Sequence, residues 1–168
     1  MHAVQTLLLL IFPILVIGAA LRDATSYTIP NWISLALIVA FPVAALALGV
    51  PLSTIGLHLG IGAAALVLGM VMYFLRWIGG GDAKLFAAAA LWIGWPAVVT
   101  FLGATGIAGG VLAVGLLGLR SAYARPYLPN GPPWFARLIE PGQNVPYGVA
   151  ICVGALTAFP ASTLIGRL

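Results

Sequence analysis

From Ala3 to Leu21 the chain runs for about 19 residues without a charged side chain. At about 1.5 Å per residue, a helix of that length crosses a hydrocarbon core of roughly 30 Å. Apolar runs of the same kind recur to the C-terminus, and they set the solvent in which the chain folds. Only 6% of its residues are charged and 62% are hydrophobic, whereas an ordinary soluble domain is about 25% charged. Too few polar side chains exist to cover a water-facing surface. The sequence therefore predicts an all-α, polytopic integral membrane protein.

The net charge of +4 does not imply a nucleic-acid partner. Seven Lys and Arg residues, scattered along the chain, cannot line a phosphate-tracking surface. The single cysteine, Cys152, lies in an apolar run. It can form no intramolecular disulfide and supports no cysteine-based zinc site, so it is expected to be a small core residue. No cofactor and no metal are implied.

The spacing of apolar runs and breakers predicts six membrane helices in one domain covering residues 1–168. The first spans Ala3 to Leu21, adjusts at Pro13 and ends at Arg22-Asp23. Pro30 disfavours helix at Ile29, so Thr28-Ile29-Pro30-Asn31 is a loop. The second helix starts near Asn31 and runs to about Leu48. After a turn at Gly49-Val50-Pro51, a third runs from about Thr54, capped by Ser53-Thr54, to Leu75. It carries small residues at Gly56, Gly60, Ala64 and Gly69 that admit a close neighbour. It also carries His58, expected as an interfacial or hydrogen-bonded side chain. The fourth is short, from about Ala83 to Ile93. The fifth follows Gly94-Trp95-Pro96 and ends near Leu119, with a GxxxG spacing at Gly106 and Gly110 for helix packing. A Pro- and aromatic-rich loop, 120–145, places Trp134 and Phe135 at headgroup level. The sixth helix runs from about Pro146 to Ile165.

Lys and Arg fall in alternate loops: Arg22 in the first, Arg76 and Lys84 in the third, Arg120, Arg125 and Arg137 in the fifth. Positive residues accumulate on the cytoplasmic side. Both termini are then expected outside, with only Arg167 opposing. Asp23 and Asp82, two of the three acids, come to helix ends on the same cytoplasmic face. Acids contribute little to topology, so orientation does not account for them.

Asp82 follows Gly79-Gly80-Gly81, where the backbone is free of Cβ atoms and can approach another chain closely. One reading makes it a helix N-cap. The other pairs it with Asp23. Two carboxyls a few ångströms apart cannot easily both ionise, so one holds a proton and the other stays charged. The ionised partner can take a proton from water while the protonated one donates to a carbonyl oxygen. Such a pair can cleave a peptide bond without a covalent intermediate.

These residues resemble a known family. Gly79-x-Gly81-Asp82 matches the GxGD motif, and Gly80 to Leu85 resembles the GGDxKL form found in type IV prepilin peptidases. Asp23 with Ile29-Pro30-Asn31 downstream is similar to that family's first catalytic aspartate and its IPN. Val145-Pro146-Tyr147-Gly148 is similar to the opening of its final helix. The resemblance implies a membrane aspartic endopeptidase that removes the leader of prepilin-like precursors at the cytoplasmic face of a bacterial or archaeal inner membrane. It implies Asp23 and Asp82 as the catalytic pair, with Gly79, Gly81, Lys84, Pro30 and Asn31 in support. Trp134, Phe135, Pro146 and Tyr147 are expected to help hold substrate. Lys84 has no role assigned by the motif, and a lipid-facing anchor is the plain expectation.

Larger family members carry an amino-terminal segment with zinc-binding cysteines, and many of those also methylate the new N-terminus. This chain opens on an apolar run and has one cysteine. It resembles the compact, peptidase-only type that accompanies tight-adherence (Flp-type) pili, with no methyl transfer expected. The Pro-Ala-Leu motif of the presenilin group is absent. The expected partners are the precursor and membrane lipid. Two rival readings remain: a small proton or cation transporter using Asp23, Asp82 and His58, and a non-catalytic subunit of a secretion machine in which both acids are caps.

Overall fold

The protein is described from a computed structural model over residues 2–121, 123 and 131–168. Every regular element among them is helical: α1 (His2–Ser26), α2 (Asn31–Ala47), α3 (Leu52–Phe74), α4 (Gly80–Ile93), α5 (Val98–Leu119), α6 (Pro133–Leu138) and α7 (Tyr147–Ala158). Among the described residues, four stretches are long and apolar enough to cross a membrane: Ala3–Ser26, Leu52–Phe74, Val98–Leu119 and Tyr147–Arg167. The remaining two of the six expected helices are shorter. At 17 and 14 residues, α2 and α4 rise about 26 and 21 Å.

The short α4 is the hub. Leu85 through Ile93 are all buried, as expected of a helix that is apolar all round. Its four consecutive alanines, Ala87 to Ala90, let neighbours approach closely, and α2, α3 and α7 pack around it. Close approaches fall at Gly62 and Gly69 on α3, where a Cβ would lie 3.0 Å from Leu91 Cβ and 3.2 Å from the Ala83 backbone. Trp92 locks the far end. Its indole N–H donates to the Leu37 carbonyl at 2.8 Å, and its ring stacks on Phe12 with centroids 5.4 Å apart.

Several boundaries differ from the sequence expectation, for local reasons. α1 continues past Leu21 to Ser26, because Thr25 and Ser26 return their hydroxyls to the Leu21 and Arg22 carbonyls and so tolerate the helical interior. Asp23 therefore lies in the last turn of α1. α3 is entered through Pro51, with no side-chain cap from Ser53 or Thr54. The final helix stops at Ala158 and passes into 3₁₀ turns at Phe159–Ala161 and Ile165–Arg167. Pro160 has no N–H to continue the α-helical ladder. The 120–145 segment contains a helix the sequence reading did not place, α6, which packs against α1. Residues 122 and 124–130 of that segment, including Arg125, lie outside the described residues.

His58 is buried and fully engaged at the end of α4 away from Asp82. Its Nδ1 lies 2.7 Å from the Leu91 carbonyl oxygen and its Nε2 lies 2.8 Å from Thr163 Oγ1. The ring also stacks on Phe41. Beside it the chain turns at Gly94 (φ 65°), where any Cβ would collide with the imidazole.

Candidate active site

Asp23 reaches the interior because α1 presents it opposite the exposed Arg22 and Leu21. The helix closes just beyond, with the Tyr27 N–H donating to the Asp23 carbonyl at 2.9 Å and Tyr27 at φ 53°. Only 4% of Asp23 is exposed. Its Oδ2 accepts the Gly148 N–H at 2.7 Å. Pro146 is the N-cap of α7, so the Gly148 amide belongs to the first turn, where amides lack helical acceptors and favour an anion.

Asp82 is not the N-cap of α4. Gly80 and Gly81 themselves enter the helix, Gly79 occupies the cap position, and Asp82 falls on the third residue. From there its Oδ2 reaches back to accept the Gly79 N–H at 3.0 Å, the acidic half of a capping box. The other oxygen, Oδ1, is buried with no hydrogen-bond partner among the described residues. Capping therefore uses one oxygen of Asp82 and leaves the second free.

The two carboxyls meet in one cavity of about 300 Å³, lined also by Tyr27, Tyr73, Arg76 and Tyr147. Asp82 lies outside the four spans. Burial, and next the Asp23 charge, push its carboxyl up to about 7, against the pull of the Gly79 and Gly148 amides. The Gly148 amide bonds Asp23 and lies near enough to Asp82 to favour its charged form.

Three close approaches hold this geometry, and each requires a missing Cβ. One on Gly148 would lie 2.9 Å from Asp23 Oδ2 and 3.0 Å from Ile29 Cδ1. One on Gly81 would lie 3.1 Å from Ile29 Cβ. One on Gly79 would lie 3.0 Å from Asp82 Oδ2. Ile29 is therefore wedged between the first turns of α4 and α7. Pro30, the N-cap of α2 with φ −62° and ψ 135°, fixes the loop that carries it. The Lys84 ammonium then donates to Asn31 Oδ1 at 2.8 Å, tying α4 to the start of α2. Lys84 has a protein partner instead of standing as a free lipid anchor.

Asp23, Asp82, Gly79 and Tyr147 line the cavity, while Gly81, Pro30, Asn31 and Lys84 frame it. Pro146 is fully buried at the α7 cap. Trp134 and Phe135 meet edge to face on α6 and are not among the cavity-lining residues. The sequence reading named neither Gly148 nor Ile29 as a site residue, although both stood inside the motifs it used. A glycine one residue into a helix after Pro-aromatic was the available signal. Arg120 was also missed. Its guanidinium donates to the Leu138, Gln143 and Asn144 carbonyls and holds Asn144 at the cavity wall. Among the described residues, no three His, Cys, Asp or Glu side chains group as metal ligands.

Comparison with curated proteins and with solved structures gives no match. The family model described as the type IV leader peptidase family matches residues 10–114, well over half of the chain and including both cavity aspartates. The chain belongs to the type IV leader peptidase family.

Proposed function

We propose that this protein is a GxGD-type aspartic endopeptidase, a single membrane domain over residues 1–168 that removes the leader of prepilin-like precursors. The observation that carries this reading is the convergence of Asp23 and Asp82 on one cavity, with Asp23 anchored there by the Gly148 amide. Family membership supports the reaction class.

In the proposed mechanism, Asp82 enters as the protonated partner and Asp23 as the carboxylate. Asp23 takes a proton from a water molecule, whose oxygen attacks the scissile carbonyl carbon. Asp82 gives its proton to the carbonyl oxygen, forming a neutral tetrahedral gem-diol. Asp23 then passes its proton to the leaving nitrogen as the C–N bond breaks. Asp82 recovers a proton from a gem-diol hydroxyl. Each proton transfer moves the charge from one acid to the other, so the cycle keeps one shared negative charge throughout.

The topology belongs to the same proposal. Six helices cross or enter the membrane, the termini face outward, and the aspartates open to the cytoplasm, the side marked by Arg22, Arg76, Lys84, Arg120 and Arg137. Trp134 and Phe135 on the exposed α6 serve as headgroup-level contacts for the bound precursor. The transporter reading is weaker because His58 has both ring nitrogens engaged by protein atoms. The cap-only reading leaves Asp82 Oδ1 without a purpose.

The test is cleavage of a co-expressed Flp-type prepilin, comparing wild type with Asp23→Asn and Asp82→Asn at equal membrane levels. Loss in both variants is expected. Retained cleavage in both would return the acids to capping, since Asn caps about as well as Asp.

A further inference from the structure

Two helices that flank the catalytic cavity end on a residue in the left-handed region, and neither residue is glycine. Among the described residues, the non-glycine positions with positive φ are Tyr27 at 53° and Arg76 at 60°. Both line the cavity that holds Asp23 and Asp82. A helix that stops in this conformation ordinarily stops on glycine, whose missing Cβ removes the clash. Here each residue is held by its neighbours. The Arg76 N–H donates to the Tyr73 carbonyl and the Trp77 N–H to the Met72 carbonyl, both at 2.9 Å, closing α3. At the end of α1, the Tyr27 N–H donates to the Asp23 carbonyl, while Ser26 Oγ and Thr28 Oγ1 meet at 3.0 Å across it. Unfavourable backbone of this kind persists where the fold over-determines it, and it gathers at active sites.

The two side chains differ in their surroundings. Arg76 is exposed, as an interfacial cation can be. Tyr27 is partly buried, and its hydroxyl is buried with no hydrogen-bond partner among the described residues. A phenol carries one donor, and leaving it unmet in the interior is unfavourable. Phenylalanine would supply the same ring without that penalty. Asp82 Oδ1 is in the same condition, so one cavity is lined by two residues that each keep an unmet polar atom. With Asp82 protonated, both are donors. The group that answers two donors at once is an acceptor with two lone pairs, and a peptide carbonyl oxygen is one. Asp23, one helical turn before Tyr27, has its Oδ2 committed to the Gly148 amide.

We propose that Tyr27 is a further catalytic residue, whose hydroxyl donates a hydrogen bond to the carbonyl oxygen of the bond being cleaved. This rests on the peptidase reading and adds a second donor to the one that Asp82 supplies. As water attacks, negative charge develops on that oxygen, and a fixed donor stabilises it most when the charge is greatest. Tyr27 keeps its proton throughout. The proton transferred to the oxygen still comes from Asp82, so the proton balance of the cycle is unchanged. This use accounts for tyrosine where glycine would suit the backbone better, and for a buried hydroxyl that the folded chain does not satisfy.

The experiment measures kcat and KM for a Flp-type prepilin with the full-length protein in detergent, wild type beside Tyr27→Phe. The substitution keeps the ring and removes only the hydroxyl. Its kcat is expected to fall on the order of 10- to 100-fold, with KM within about twofold of wild type. Its unfolding temperature is expected to be no lower, since no side-chain bond within the described chain is lost. A second measurement uses a leader-junction peptide with a difluoroketone in place of the scissile amide, whose hydrate mimics the gem-diol. Tyr27→Phe is expected to bind it more weakly by a similar factor. An unchanged kcat would overturn the proposal. So would a raised KM with kcat preserved, which makes the hydroxyl a substrate anchor away from the reacting oxygen. A lowered unfolding temperature accompanying the lost activity would overturn it as well, and make the hydroxyl structural. The peptidase reading fails separately, if wild type does not cleave or if Asp23→Asn and Asp82→Asn cleave as wild type does.

Discussion

The Gly148 N–H donates to Asp23 Oδ2 at 2.7 Å across 125 positions of sequence, joining the first turn of α7 to the last turn of α1. That bond brings the end of the chain to the carboxyl and orients one of its oxygens. A Cβ on Gly148 would meet Asp23 Oδ2 at 2.9 Å. Gly148→Ala is therefore expected to reduce cleavage at least about 100-fold, because a misplacement near 1 Å is costly at a reacting centre. The overpacking should lower stability by about 1–3 kcal/mol. Activity assays beside thermal unfolding in detergent check both numbers, and full activity in a folded Gly148→Ala protein would refute the assigned geometry.

Removing either carboxylate should eliminate the chemistry without removing the fold. Asp82→Asn and Asp23→Asn are expected to lower the cleavage rate by about 10²- to 10⁴-fold or more. Unfolding temperatures should stay close to wild type, since an amide oxygen still accepts the Gly79 or Gly148 N–H. The measurement is the initial rate at matched protein levels.

Cleavage should be lost as pH rises through about 7. The Asp82 carboxyl, raised from 3.8 to about 7 by burial and then by the Asp23 charge, gives up its proton there and can no longer donate. The sign for stability is the same. A raised acid contributes its stabilisation fully below the unfolded value near 3.8 and loses it progressively as pH climbs through about 7. In Asp23→Asn the Asp82 titration should move down, because the neighbouring charge is gone. Carboxyl-stretch infrared spectroscopy across pH 4–9 measures it directly, and an unmoved titration would mean the two acids do not interact.

The Lys84–Asn31 bond ties the loop holding Ile29 to α4. Lys84→Met and Asn31→Ala are each expected to cost about 0.5–1.5 kcal/mol and to lower activity severalfold. Asn31→Asp should retain activity because it still accepts from the ammonium. A double-mutant cycle reads the coupling, and strictly additive losses would show the pair to be independent.

His58→Ala should act through stability alone. It leaves the buried Leu91 carbonyl without its side-chain partner, a loss of about 1–3 kcal/mol, while the pH profile of cleavage keeps its shape. A changed profile would instead connect His58 to proton movement.

Much of this was legible in the chain before any coordinates. The uncharged run from Ala3 to Leu21, the 6% charge content and the breakers at Pro30, Pro51 and Gly94 are local facts, and local facts determine membrane helices. Asp23 and Asp82 stood out because a charge within an apolar sequence has few structural excuses. Tertiary structure alone decided how they are used. No periodicity announces that Asp82 sits at the third helical position with one oxygen spent on Gly79 and one left over, since this depends on where the glycines enter the helix. The same holds for Ile29 between Gly81 and Gly148, and for Gly106 and Gly110 facing open space while Gly109 and Gly154 do the packing. Glycine spacing states where a backbone can come close. Which neighbour comes, and from which side, is settled by contacts between residues far apart in sequence.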